Sequence, residues 1–235
     1  MNRRYCFSLA SVLGFICLVC IFGLVANAFD IISFEKNVKN ISVIIGIISS
    51  FGSVFFCGLG FQNNHKANKL MSRYLFVLFI LYFILLVDFT LLDNNYGRNI
   101  LSVFDPDRSS FRRYLKECTN FVPFATIKLF IKGYINNNLS LGDTVVNLFG
   151  NFTFFMPVPF FVCVFKKGKI NFLKMLVFLF LCITVVEFLQ VVFMTGSCDI
   201  DDLILNLSGA ALFYFIICRR SVSDMLSKLT FGVWK

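Results

Sequence analysis

The chain has 235 residues, of which 58% are hydrophobic and 15% charged, with a formal net charge of +9 and a mean hydropathy of +0.80. A soluble globular domain carries about a quarter of its residues as charges, and a disordered chain does not hold 33 Phe, so both classes are excluded. A basic excess would point to nucleic acid in a soluble protein. In so apolar a chain it reads instead as charge that anchors the cytoplasmic side of a membrane, and no nucleic-acid partner is expected.

Six apolar blocks follow in chain order, at residues 5–29, 41–61, 74–92, 145–165, 170–193 and 200–218. Each is near the length of about 20 residues that the hydrocarbon core demands of a helix. No alternating barrel pattern is visible, and lipid cannot satisfy exposed backbone groups, so helices are predicted. The first block follows Arg3 and Arg4 and ends near Ala26-Asn27-Ala28, which resembles a signal-peptide cleavage site. Its apolar run is longer than the usual signal core of about 7–15 residues, and it is read as a retained span. Placing the N-terminus inside puts 13 basic residues and one acid, Asp224, on the cytoplasmic side, against nine basic residues and ten acids outside. The predicted fold is therefore an all-α integral membrane protein. It has six transmembrane helices, both termini in the cytoplasm and one long extracytoplasmic segment between the third and fourth spans. The organisation reads as three N-terminal spans in 1–92, an interfacial segment in 93–144, three further spans in 145–218 and a cytoplasmic tail in 219–235.

Cys6, Cys17, Cys20, Cys57, Cys163, Cys182 and Cys218 lie in or beside spans, where Cys serves as a small apolar side chain. Cys17 and Cys20 form a C-x-x-C without the strand-to-helix setting of a redox motif. Cys118 and Cys198 fall outside, where an oxidised pair is one alternative, although spacing alone does not set connectivity. The lone His65 sits with Lys66 and Lys69 in a predicted cytoplasmic loop.

The segment 93–144 contains a turn and helix start at Asp105-Pro-Asp, then the basic stretch Phe111-Arg-Arg-Tyr-Leu-Lys116. The stretch Asn120-Phe-Val-Pro-Phe-Ala-Thr-Ile127 is apolar but too short to cross. It is expected at the interface as an aromatic anchor, or dipping inward where protein shields it. Asn136-Asn-Asn closes the segment as a loop.

Polar residues inside spans carry the most information, because each is costly in lipid. Asn147 and Asn151 are four apart, and Glu187 and Gln190 three apart, so each pair shares a helix face near the outer end. Pro157 and Pro159 must break or bend the fourth span. Asp199, Asp202, Asn206 and Gly209 fall at helical spacing on the sixth span, with Asp201 beside them. Asp199 is a natural N-cap, and acids in a first turn suit the helix dipole. Asp88 joins the same predicted depth.

These motifs in this order (Asn120-Phe-Val-Pro123-Phe124, Asn147-Leu-Phe-Gly-Asn151 running to Pro157, Glu187-Phe-Leu-Gln190, and Asp199-Ile-Asp-Asp-Leu-Ile-Leu-Asn206 with Gly209) resemble the VanZ-like family of bacterial membrane proteins, over about residues 98–214. The family pattern has a Gly-Arg pair before the Asp run, where this chain reads Met194-Thr-Gly-Ser-Cys. The resemblance implies a multi-pass protein of a bacterial cell membrane and the cell envelope, with a link to teicoplanin resistance.

Two functions follow as expectations. In the first, Asn120, Pro123, Phe124, Asn147, Asn151, Glu187, Gln190, Asp199, Asp202 and Asn206 bind a lipid-anchored glycopeptide or a lipid-linked cell-wall precursor at the outer leaflet. Arg112, Arg113 and Lys116 would meet phosphate, and Phe121, Phe124, Phe154 and Phe155 would meet the chain. No cofactor is expected in that reading. In the second, the protein is an intramembrane enzyme on a lipid-linked substrate, with Glu187 as general base. A divalent cation would then sit on Asp199, Asp201 and Asp202. A transporter would need two related halves, and no internal repeat is visible.

Overall fold

The computed structural model describes residues 2–28, 36–61, 63–92, 114–116, 118–168 and 170–234. Nine helices carry the fold among these residues: α1 (Arg3–Ala28), α2 (Lys36–Gly60), α3 (Asn64–Val87), α4 (Ala125–Ile135), α5 (Leu141–Phe154), α6 (Pro157–Phe165), α7 (Phe172–Val192), α8 (Ile200–Cys218) and α9 (Arg220–Leu229). A π-helical turn, Asp88–Leu92, extends α3. Two short strands, β1 (Thr119–Asn120) and β2 (Cys198–Asp199), pair in parallel. Among the described residues this ladder is the one departure from the expected all-helical plan.

Among the described residues, five helical stretches are long and apolar enough to cross a membrane: Arg3–Gly23, Asn64–Leu91, Leu141–Phe165, Phe172–Val192 and Ile200–Cys218. A shorter apolar stretch, Ile45–Gly60, lies within α2. Apolar side chains such as Phe15, Phe22, Leu85, Leu181 and Phe188 are exposed along these helices, as lipid-facing surfaces must be. The chain is a multi-pass membrane protein.

Local sequence explains the helix starts. Asn63 accepts from the His65 N–H at 2.8 Å, Ser140 from Asp143 at 3.0 Å, Asn171 from Leu173 at 2.9 Å and Asp199 from Asp201 at 2.9 Å. These side chains satisfy donors that a helix N-terminus leaves free, and Asp199 takes the N-cap role that its position predicts. The helix ends are less obvious. Asn137, Lys167 and Met194 adopt positive φ just past α4, α6 and α7. In each case the next residue donates back five positions, as Thr195 does to Gln190 at 2.9 Å, which is the Schellman closure.

The chain forms two compact units, Met1–Val77 with Asp224–Lys235, and Leu78–Ser223. In the first, α1 and α2 pack through small residues. Gly14 meets Ser53, whose hydroxyl donates to the Ala10 carbonyl at 2.9 Å, and Gly52 lies against Leu13. Close approach through Gly and Ser is the usual way that membrane helices gain packing contacts. The C-terminal segment is built into this unit: Asn68 donates to the Phe231 carbonyl at 2.9 Å, and Trp234 is buried.

In the second unit, α5 and α6 form one interrupted span. Pro157 and Pro159 lack N–H donors, so the Val158 N–H turns to the Phe155 carbonyl at 3.2 Å. The Tyr82 hydroxyl then donates to the Phe154 carbonyl at 2.9 Å, replacing the bond that the break removed. Helix α8 crosses α5 at Gly209, where a Cβ would overlap the Phe152 carbonyl oxygen. Only glycine permits that approach.

Candidate functional site

The polar residues singled out by sequence separate into two groups. The first is a closed knot at the start of α4. The Ala125 N–H donates to the Val122 carbonyl at 3.2 Å, with Pro123 and Phe124 between them and Phe124 at φ 64°. Pro at the second position and a positive φ at the third are the features of a type II turn. The Asn120 Oδ1 accepts from the Val122 N–H at 3.0 Å, an Asx turn that sets up this geometry. Phe124 has no side chain able to cap α4, and Asp201 caps it from another helix. Its fully buried carboxylate accepts from the backbone N–H groups of Phe124, of Thr126 at 2.8 Å and of Ile127 at 3.1 Å. A carboxylate at a helix N-terminus is favoured by both hydrogen bonding and the dipole.

Asp199 completes the knot. It accepts from Asp201 N–H, from the Thr126 hydroxyl and from Asn120 Nδ2 at 3.3 Å. The β1–β2 ladder holds the two segments in register, pairing Asn120 with Asp199. The Tyr114 hydroxyl adds a further tie, donating to the Gly196 carbonyl and to Gln190 O at 3.3 Å. Burial pushes the Tyr114 phenol up, which keeps it a donor. The stretch 120–127 therefore docks onto α8 through its backbone, while Phe121, Pro123 and Phe124 stay exposed.

The second group lines a cavity of about 300 Å³ within the same unit. Asn147 and Asn151 come from α5, Glu187 and Gln190 from α7, and Asp202 and Asn206 from α8. Phe89, Phe130, Phe154 and Phe155 supply aromatic walls. Several contacts fix the polar rim. Asn151 Nδ2 donates to Asp202, and Gln190 Nε2 donates to the Thr90 carbonyl at 3.1 Å. The Asn206 Nδ2 donates to the Asp202 carbonyl at 2.8 Å, which assigns the opposite atom of that amide as the oxygen. The oxygens of Asn147 and Asn206 are buried and accept no hydrogen bond.

An apolar groove of about 490 Å³ lies alongside, lined by Leu115, Phe121, Phe188 and Val191 among others. Glu187 borders both the polar cavity and this groove. Cys198 lines the groove too, and its thiol is pushed up first by burial and then by the carboxylates of Glu187, Asp199 and Asp202. Cys118 and Cys198 form no disulfide, although they lie on adjacent segments with the Cys198 N–H donating to Cys118 O at 2.9 Å.

Of the sequence-derived candidates, six share the cavity: Asn147, Asn151, Glu187, Gln190, Asp202 and Asn206. Asn120 and Asp199 belong to the knot, and Pro123 and Phe124 form its turn. Of the three metal candidates, Asp199 and Asp201 spend their oxygens on protein donors and Asp202 faces the cavity. Among the described residues, no three His, Cys, Asp or Glu side chains come together as a metal site. Asp88 is not among the cavity's lining residues, whereas its neighbours Phe89 and Thr90 are. Arg112 and Arg113 lie outside the described residues, and Lys116 is exposed. Sequence reasoning missed Thr126, whose hydroxyl bridges Asn120 and Asp199. It also missed Thr90, whose carbonyl holds Gln190. A Thr after a Pro-Phe turn was the available signal for the first; nothing local marks the second.

The model of the VanZ/LLP1 family matches residues 79–222, more than half of the chain. The chain belongs to the VanZ/LLP1 family. The match takes in the knot, the cavity and the interrupted span, and begins after α1 and α2. It reaches further on both sides than the motifs alone indicate. No curated protein and no solved structure matches this VanZ/LLP1 member.

Proposed function

We propose that this VanZ/LLP1 protein acts in a bacterial cell membrane by binding a lipid-anchored glycopeptide or a lipid-linked cell-wall precursor at the outer leaflet. In this reading the chain spans six times with both termini in the cytoplasm, as its Lys and Arg distribution favours. The knot and the cavity then face outward. The observation that carries the proposal is the position of Glu187, shared by a polar cavity and an apolar groove. An amphiphile has the same two parts, a polar head and a chain that prefers an apolar surface. Phe121 and Phe188 would lie along the chain, and Asn147, Asn206 and Asp202 around the head.

The test is teicoplanin tolerance in a susceptible bacterium expressing the parent, Glu187→Gln or Asp202→Asn at matched membrane abundance. Tolerance is expected to rise with the parent and to vanish with either variant. Unchanged tolerance with the parent would remove the resistance function. A topology assay with reporter fusions at residues 62 and 168 checks the orientation, both being expected inside.

A further inference from the structure

The chemistry of the cavity narrows the head group, on the premise that the cavity binds a lipid-linked molecule. Asn206 is 4% exposed, and its Oδ1 is buried without a hydrogen-bond donor. Asn147, one helix away, leaves its Oδ1 in the same state. A buried acceptor without a partner costs about 1–3 kcal/mol, and native proteins keep such groups where something else completes them. Both oxygens therefore call for donors from outside the chain. They stand on two walls of the cavity, α5 and α8, and a ring bearing several hydroxyls carries a donor for each.

The remaining walls agree. Carboxylates of Glu187 and Asp202 accept hydroxyl hydrogen bonds whatever else they contact, and Phe89 and Phe154, packed on each other with centroids 5.1 Å apart, give apolar wall for ring C–H groups. Asn, Gln, Asp and Glu beside aromatic rings make a surface that is polar at the rim and apolar on the face, as a pyranose is. A phosphate presents acceptors to acceptors, and among the described residues no Lys, Arg or His lines the cavity. At about 300 Å³ the space is at the small end of ligand pockets, which run from about 300 to 1,000 Å³. That suits one ring. We infer that the cavity between α5, α7 and α8 takes a single neutral sugar ring of the lipid-linked ligand, with its chain passing Glu187 into the groove.

The test uses the full chain in phosphatidylcholine nanodiscs and a radiolabelled alkyl glucoside. Competitors share the same alkyl chain and carry a glucoside, phosphate, ammonium or plain hydroxyl head. The glucoside is expected to compete at least about tenfold better than the others, the scale of one or two lost hydrogen bonds. Asn147→Ala and Asn206→Ala are expected to erase that preference while leaving the alkanol unchanged. The head-group order in the parent needs no variant, so a misfolded variant does not decide the matter. If phosphate or ammonium competes as well as glucoside, the sugar assignment falls and amphiphile binding stands. The same holds if all heads are equal. If no amphiphile binds, the binding function falls and the sugar assignment with it.

Discussion

Asp201 and Asp202 are neighbours in sequence and meet opposite surroundings. Asp201 is fully buried and saturated, its two oxygens accepting from three backbone N–H groups at the start of α4. Asp202 faces a cavity whose asparagine oxygens still want donors. One turn of α8 thus holds a saturated cluster and a cavity-lining one. A helix rotates successive residues by about 100°, so adjacent acids reach different neighbours. The closed knot spends its polar capacity on fixing the stretch 120–127 onto α8. The cavity keeps its capacity for something else.

This contrast can be broken from the structural side first. Asp201→Ala leaves the N–H groups of Phe124, Thr126 and Ile127 without acceptors and Phe124 in a left-handed conformation that nothing compensates. A loss of about 3–5 kcal/mol is expected, read as a large drop in the thermal unfolding midpoint of detergent-solubilised protein. Gly209→Ala comes next. Its Cβ would overlap the Phe152 carbonyl and push α8 from α5, at about 3 kcal/mol, and the same thermal measurement reads it. Because α5 and α8 carry Asn147, Asn151, Asp202 and Asn206, this variant should also lose ligand binding.

Tyr114→Phe removes the donor to Gly196 and Gln190 and should cost about 1 kcal/mol. The drop should be accompanied by faster proteolysis between α3 and α4. Asp202→Asn sharpens the contrast most while moving stability least. It keeps an oxygen for Asn151, so the midpoint should shift by less than about 0.5 kcal/mol equivalent, while teicoplanin tolerance disappears. Equal destabilisation by Asp201→Ala and Asp202→Ala would show that both acids are structural.

Much of the fold was legible. Among the described residues five of the six predicted spans meet helical stretches long and apolar enough to cross, α8 within the predicted 200–218 and α7 within two residues of its predicted start, while the second holds only the shorter stretch Ile45–Gly60. The N-caps at Asn171 and Asp199 are ordinary Asn and Asp signals. Helix ends were harder, because Asn137, Lys167 and Met194 occupy a position where sequence reading looks for glycine. The Asp202, Asn206 and Gly209 stripe was legible as a face, and it does meet α5. The split between knot and cavity was not. Asp199, Asp201 and Asp202 look alike in sequence, and only their distant partners separate them.

By itself the sequence determined the membrane setting, the family motifs and which helix faces carry polar groups, because length, hydropathy and helical period are local quantities. Tertiary structure alone decided what those groups do. The donors that saturate Asp201 come from residues more than seventy positions away, and the walls of the cavity come from α4, α5, α7, α8 and the π-helical turn after α3, with α5 and α8 meeting at a glycine. Hydrogen-bond saturation depends on such long-range partners, and no local pattern encodes them.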